Sequence, residues 1–252
     1  KTGSCKVLVV TGCMAQRYKN EIIEEVPEVD AVLGTTSYGD ILKAIREAME
    51  GKHFQEFKDI DYLPEKLGKR VLTTGGHFGY LKIAEGCDKH CTYCIIPKLR
   101  GKFRSVPMER LVTQAKEMAE EGVKELILVA QETTVYGTDI YGKKSLHILL
   151  KELCKIKGIR WIRVLYCYPE EIYDELIQTM KEEKKICHYL DLPIQHASDR
   201  ILKRMGRRTT QAELVEIVNK LRREIPDIVL RTTLISGFPG ETQEDHEELM
   251  SF

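Results

Sequence analysis

The stretch Glu125-Leu-Ile-Leu-Val-Ala130 (ELILVA) is a short, almost unbroken apolar run. Such a run fits a strand covered on both faces, as strands of a parallel sheet are. Its flanks decide the fold. Upstream, Pro107 opens a segment whose Leu111, Val112, Ala115, Met118 and Ala119 recur at helical spacing. Downstream, Ser145 to Cys154 also has a helical pattern. The alternation repeats in both directions. YLKIAEG (80–86) reads as a strand before the Pro107 helix. IRVLY (162–166) is the next strand, and Pro169 opens a helix with Ile172, Leu176, Ile177 and Met180 on one face. HYLDLP (188–193) is a further strand, and Thr210 with Glu213 has the spacing of a capping box before LVEIVNKL. IVLRTTLI (228–235) is the last strand, followed by a helix from Thr242. Five successive βα units predict a parallel sheet with helices packed outside, either open or curled into a barrel. In a barrel, the loops after the strands gather at one rim and carry the chemistry.

The residues before this region read differently. CKVLVV (5–10) predicts a buried strand, AQRYKNEIIEEV (15–26) a helix, DAVLG (30–34) a strand and YGDILKAIREAMEG (38–51) a helix closed by Gly51. These two βα units predict part of an open α/β domain. The polar stretch from about Lys52 to Gly79, with Gly75-Gly76, reads as a linker. The domain division expected is therefore 1–70 and 71–252.

Composition narrows the classes. Lysine plus arginine number 39 and aspartate plus glutamate 39, so no bulk charge favours nucleic acid. No apolar run reaches the roughly 20 residues of a membrane helix, and no leader pattern is visible. The eight cysteines, in an α/β chain of this kind, predict reduced thiols, a metal site and a cytoplasmic setting.

Three cysteines cluster in EGCDKHCTYC (85–94): Cys87, Cys91 and Cys94, spaced C-x3-C-x2-C, in the loop after the first strand of the repeat. A structural zinc site wants four ligands, usually as two pairs, and only His90 lies near enough in sequence to complete one. A ferredoxin-type cluster wants a distant fourth thiolate, for which Cys154, Cys167 and Cys187 are candidates. The third reading is a four-iron cluster held by three thiolates, its fourth iron open to a small molecule.

The C-x3-C-x2-C motif, with Tyr93 just before its last cysteine, resembles the signature of the radical S-adenosylmethionine (radical SAM) enzymes. That resemblance implies a [4Fe-4S] cluster on Cys87, Cys91 and Cys94. It also implies that S-adenosylmethionine is chelated at the open iron and cleaved by one electron to a 5′-deoxyadenosyl radical. LKIAEGCDKHCTYCIIPKLRGKFRSVP (81–107) is similar to the methylthiotransferases of that family. VTGCMAQRY (10–18) resembles the third cysteine motif of their N-terminal domain, which implies that Cys13 is one ligand of an auxiliary [4Fe-4S] cluster whose other two ligands would lie upstream of Lys1. Cys5 reads instead as a buried strand thiol. The fold implied is a partial (β/α) radical SAM barrel, with five of six βα units, preceded by part of the N-terminal methylthiotransferase domain. The family's C-terminal RNA-binding-type β-domain would be missing, which leaves this fragment without a nucleic-acid role and exposes apolar surface on the open side of the barrel.

Within the family, AQETTVYGTD (130–139), YCYPEEI (166–172) and YLDLPIQHASDRILKRMGRR (189–208) resemble the branch that modifies an aspartate of a small-subunit ribosomal protein. The branch that modifies a transfer-RNA adenosine is the alternative, and a non-catalytic iron–sulfur or zinc module is another. An electron donor such as flavodoxin or ferredoxin is implied. Cofactor-binding positions implied for S-adenosylmethionine are Tyr93, Gln131 and Glu132 at the end of the second strand, Gln195 at the end of the fourth, and Gly237 and Gly240 in SGFPGET (236–242). In that loop region Thr233 stands where the superfamily pattern has its first glycine. Cys154, Cys167 and Cys187 read as core thiols. Tyr166 and Tyr168 line an opening or pack there. Arg231 either meets a carboxylate inside the sheet or points outward.

Overall fold

A computed structural model describes residues 3–63, 71–73 and 75–252. The chain divides into two compact units, Lys1–Lys69 with Ile95–Lys102, and Arg70–Cys94 with Phe103–Phe252.

The first unit is a three-stranded parallel sheet in the order β1 (Val9–Thr11), β2 (Ala31–Leu33), β3 (Phe54–Glu56). It carries helices α1 (Cys13–Tyr18), α2 (Glu21–Glu25), α3 (Ile41–Met49) and α4 (Ile96–Arg100). β2 is buried throughout because its alternate residues feed two apolar clusters. Val32 packs with Ala15, Val29, Ile22 and Ile23; Ala31 and Leu33 pack with Ala44, Val9 and Ile41. Alternation of side chains across a strand makes this possible.

Four expectations need correction here. The strand expected over 5–10 begins only at Val9, and Cys5 is exposed rather than buried. The Leu8 N–H is taken by the Asp30 carboxylate at 2.7 Å, so a side chain supplies what a strand partner would have. The helix expected over 15–26 breaks at Lys19, whose φ of 44° stops α1. The stretch read as a linker contains β3, an edge strand that owes its place to main-chain pairing with β2 more than to apolar burial. Residues 64–70 and 74 of that stretch, and the expected domain boundary, lie outside the described residues.

The second unit carries the five expected βα units. Its strands are β4 (Phe78–Lys82), β7 (Glu125–Val129), β8 (Trp161–Val164), β9 (Ile186–Asp191) and β10 (Val229–Arg231). They form one parallel sheet in the order β10-β9-β8-β7-β4. Between β4 and β7 lie the short antiparallel pair β5 (Ala84–Glu85) and β6 (Arg104–Ser105), then helix α5 (Met108–Glu120). The remaining helices are α6 (Thr138–Tyr141), α7 (Leu146–Cys154), α8 (Asp174–Glu182), α9 (Asp199–Arg204), α10 (Gln211–Glu224) and α11 (Gln243–Ser251). α5 buries Leu111, Ala115 and Met118, one helical stripe, while β7 buries Leu126 and Leu128 completely. α10 and α11 begin with capping boxes, Thr210 with Glu213 and Thr242 with Asp245.

The helix expected to open at Pro169 starts as a 3₁₀ turn, Pro169–Glu171. Extended Ile172 then separates it from α8. The strand expected over 228–235 closes at Arg231. Beyond it the Thr232 hydroxyl donates to Leu192 O at 2.8 Å and accepts from Ile194 N–H at 3.3 Å, in place of the ladder. A single further bridge joins Gln195 to Leu234. Arg231 is exposed and donates to the buried Asp191 at 3.0 Å. At the β10 edge Val229 is 60% exposed. Among the described residues no helix is long and apolar enough to cross a membrane.

Candidate cofactor site

The three cysteines follow β5, at the end of the sheet where the strands β4, β7, β8 and β9 finish. Gly86 takes φ 78°, a value that suits glycine, and turns the chain into Cys87. The loop is then held from several sides. The Lys89 N–H donates to the Cys87 sulfur at 3.4 Å, and the Cys94 N–H donates to Cys91 O at 3.0 Å. Thr92 is tied to the end of α9, its N–H to Met205 O and its hydroxyl to Arg204 O, both at 3.0 Å. Gly206, at φ 73°, approaches so closely that a Cβ there would stand 3.0 Å from His90 O. Phe103 N–H donates to the Asp88 carboxylate at 3.0 Å.

Cys87 and Cys91 are buried and line a cavity of about 250 Å³. Burial pushes the Cys87 thiol up to about 11, and the neighbouring charges of Glu132, Cys94 and Cys91 act the same way. Among the described residues no three His, Cys, Asp or Glu side chains stand close enough to ligate one common metal ion. The donor set itself, three free thiols in one loop, is that of a four-iron cluster whose fourth iron is left to a small ligand.

Glu132, Phe103, Val135, Tyr168, Glu170 and Arg207 line the same cavity. Glu132 is 1% exposed, and one carboxylate oxygen accepts from the Thr134 N–H at 2.9 Å and from its hydroxyl. The other oxygen, Oε2, has no partner. Burial raises this carboxyl to about 7, against the lowering effect of the Thr134 hydrogen bonds. Arg207 is 6% exposed, and its Nη2 donates to Glu170 at 3.1 Å. Its Nε and Nη1 are buried without a partner. Its guanidinium lies 4.3 Å from the centre of the Tyr168 ring. Lys89 pairs with Glu171 and lies 5.3 Å from the same ring. A buried donor or acceptor left unmade costs about 1–3 kcal/mol. Two such groups of opposite charge in one cavity fit a ligand that carries both signs, as the α-amino and α-carboxylate groups of an amino acid do.

The other anticipated residues fall in two groups. Gln131 is partly buried, and its Oε1 has no partner. Tyr93, 39% exposed, meets Phe238 edge-to-face with centroids 6.4 Å apart, so the cysteine loop touches SGFPGET. In that loop Gly237 has φ 77° and open space around it. Gly240 has φ 85°, and a Cβ there would stand 2.6 Å from the Arg204 guanidinium. Glu241 accepts from Phe238 N–H at 2.8 Å and faces the buried His196 at 3.6 Å, which fixes the turn. Gln195 takes φ 71° at the end of β9. None of these six residues (Tyr93, Gln131, Gln195, Gly237, Gly240 and Glu241) lines the 250 Å³ cavity, and neither does Cys94. Cys13 belongs to the first unit, where Arg100 Nε donates to its sulfur at 3.2 Å. Cys154 and Cys167 are buried thiols and Cys187 is partly buried.

Sequence reasoning passed over Arg207, Glu170 and His196. The first two sit in charged strings that look solvated, and burial of an arginine is not a local property.

The Radical SAM superfamily model matches residues 81–252. The ribosomal protein uS12 methylthiotransferase RimO of Lachnoclostridium phytofermentans is 68% identical over 252 residues, covering 100% of this chain and 57% of the relative. RimO of Clostridium botulinum (strain Eklund 17B / Type B) is 55% identical, covering 98% and 56%. The chain thus spans a little over half the length of these curated relatives. The cobalamin-dependent S-adenosylmethionine radical enzyme OxsB, solved with aqua-cobalamin and S-adenosylmethionine, superposes with a TM-score of 0.69 at 15% identity, covering 97% of this chain and 38% of that one. The radical S-adenosylmethionine methyltransferase TsrM of Kitasatospora setae gives 0.57 at 18% identity, covering 70% and 33%. With the family model matching some two thirds of its length, this chain belongs to the radical SAM superfamily.

Proposed function

We propose that this chain forms the radical core of a methylthiotransferase that adds a methylthio group to the β-carbon of an aspartate in ribosomal protein uS12. The relatives named for that activity, 68% and 55% identical, support the substrate. The observation that carries the chemistry is the cavity itself, where Cys87 and Cys91 stand beside the unpartnered Glu132 Oε2 and Arg207 Nε and Nη1.

Cys87, Cys91 and Cys94 would hold a [4Fe-4S] cluster through their thiolates. Bound together, cluster and S-adenosylmethionine supply one-electron cleavage of a sulfonium bond and hence a carbon radical able to take hydrogen from an unactivated C–H. Glu132, with the unpartnered Gln131 Oε1, receives the ligand's ammonium group, and Arg207 receives its carboxylate. Phe103 and Val135 give the cavity apolar wall and keep water from the reacting end. Tyr93, Gln195, Gly237 and Gly240 take the nucleoside half: the glycines permit close approach of backbone, and Phe238 holds the Tyr93 ring. Residues 71–252 are the radical core. Residues 1–70 belong to an auxiliary-cluster domain in which Cys13 is one thiolate ligand, and Arg100, from the segment 95–102 that packs in the same compact unit, donates to its sulfur. The enzyme would work in the cytoplasm with a donor such as flavodoxin or ferredoxin, and this segment binds no nucleic acid.

The test is anaerobic reconstitution of the full-length enzyme with iron and sulfide. The reading expects S-adenosylmethionine to change the electron paramagnetic resonance spectrum of the reduced cluster, and a uS12 peptide to gain a methylthio group. An unchanged spectrum removes the open-iron site. Thiolation of transfer RNA in place of the peptide moves the protein to the other branch.

A further inference from the structure

Tyr166 follows the C-terminal end of β8 and is one of three non-glycine residues with positive φ among the described residues, at 59°. A bulky side chain is strained there. The backbone imposes the conformation. Tyr166 O accepts from the Thr133 N–H at 3.0 Å and from its hydroxyl at 3.1 Å, and the Tyr166 N–H points to Asp191 Oδ2 at 3.4 Å. Thr133 and Asp191 are 0% and 3% exposed, so the clamp is buried.

The Tyr166 ring is 48% exposed and has no hydrogen bond or ring contact among the described residues. A glycine or an asparagine would accept this backbone more readily. The left-handed turn stands beside the site: the next residue but one, Tyr168, lines the cavity, and Thr133, which holds the Tyr166 carbonyl, adjoins the cavity-lining Glu132. At the next strand end Gln195 is left-handed too, its N–H bonded to Thr233 O at 3.0 Å and its carbonyl to the Ile235 N–H at 2.7 Å. Strain held by buried partners on a half-exposed ring, two residues from the cavity-lining Tyr168, marks a contact with something outside the chain.

We infer that Tyr166 is a substrate-contact residue, its ring packing against the polypeptide segment that presents the side chain to be modified; this rests on the peptide-modifying reading above. A phenol suits that task, since it offers a flat apolar face to a peptide and a hydroxyl to a main-chain carbonyl at low entropic cost.

The experiment compares wild type, Tyr166→Phe, Tyr166→Asn and Tyr166→Gly in the reconstituted full-length holoenzyme, with a uS12 peptide and a transfer RNA as alternative substrates. Expected are an unreduced melting temperature for Tyr166→Asn, wild-type cleavage of S-adenosylmethionine without substrate, and a KM for peptide raised at least five-fold in Tyr166→Asn and Tyr166→Gly. Tyr166→Phe should show a smaller rise. Peptide KM within two-fold of wild type, or a fall in melting temperature beyond 5 °C in Tyr166→Asn, overturns the inference and leaves the methylthiotransferase reading intact. Wild-type activity on transfer RNA alone overturns both.

Discussion

The Arg207 guanidinium lies over the Tyr168 ring, 4.3 Å from its centre, and the Tyr168 hydroxyl stands 3.5 Å from the Cys91 sulfur. Buried arginine, partly buried phenol and buried thiol thus form one column in the wall of the candidate site. Arg207→Met would leave Glu170 facing the interior without its cation, and breaking a buried pair in this way costs about 3–5 kcal/mol. Arg207→Lys keeps the charge and loses the fork. The expected outcome is near-native unfolding in urea for Arg207→Lys, with affinity for S-adenosylmethionine reduced at least ten-fold, about 1.4 kcal/mol. Equal affinity in a titration of the reconstituted protein would remove Arg207 from carboxylate recognition.

Glu132 gives stability a pH dependence. Its carboxyl is raised from 4.5 to about 7 by burial, so the folded state holds a proton that the unfolded chain releases. Its contribution is complete below pH 4.5 and declines as pH rises through 7, by roughly 3 kcal/mol in all. Glu132→Gln keeps an acceptor for Thr134 and should flatten this part of the curve. Urea midpoints at pH 5 and pH 8, without ligand, provide the measurement. An equal pH slope in both proteins would show that Glu132 ionises freely.

The thiols divide by iron retention. Ala in place of Cys87, Cys91 or Cys94 should remove the radical cluster's share, about half, of the iron per chain of the reconstituted full-length enzyme. Cys167→Ala should leave iron unchanged and cost about 1 kcal/mol, since Cys167 is fully buried and behaves as a small apolar side chain. Iron loss in Cys167→Ala would make that thiol a ligand.

The capping boxes differ in reach. Thr210→Ala removes an exposed cap and should cost about 1 kcal/mol. Asp245 accepts from Ser198 at 2.7 Å and from both the N–H and the hydroxyl of Thr242 at 2.9 Å, besides pairing with Arg200. Asp245→Ala should cost more than Thr210→Ala, as it leaves the buried Ser198 hydroxyl without its acceptor and also releases the exposed Thr242 and Arg200. Guanidinium denaturation of the two variants checks the order.

Much of this architecture was legible in the sequence because its signals are local. Leu126 and Leu128 are buried on one face of β7 while Ile127 and Val129 are partly buried on the other, so β7 shows as an apolar run. Thr210 and Glu213 announce α10 within four residues. The cysteine spacing needs only one loop. β3 was not legible, because Phe54-Gln55-Glu56 earns its ladder from β2 and little from its own side chains. Arg207 was not legible either. Its burial is created by Glu170 and Tyr168, which arrive from another βα unit. The shortened β10 reflects threonine side chains competing for main-chain bonds, a contest the apolar pattern of 228–235 does not record.

Thr92 fastens the cysteine loop to the last turn of α9, a helix of only six residues. Short helices fray before sheets melt. Bleaching of the cluster's visible absorbance on warming should therefore set in below the temperature at which far-ultraviolet ellipticity is lost. In Thr92→Val the gap between the two events should widen, so that colour becomes a thermometer for one turn of helix.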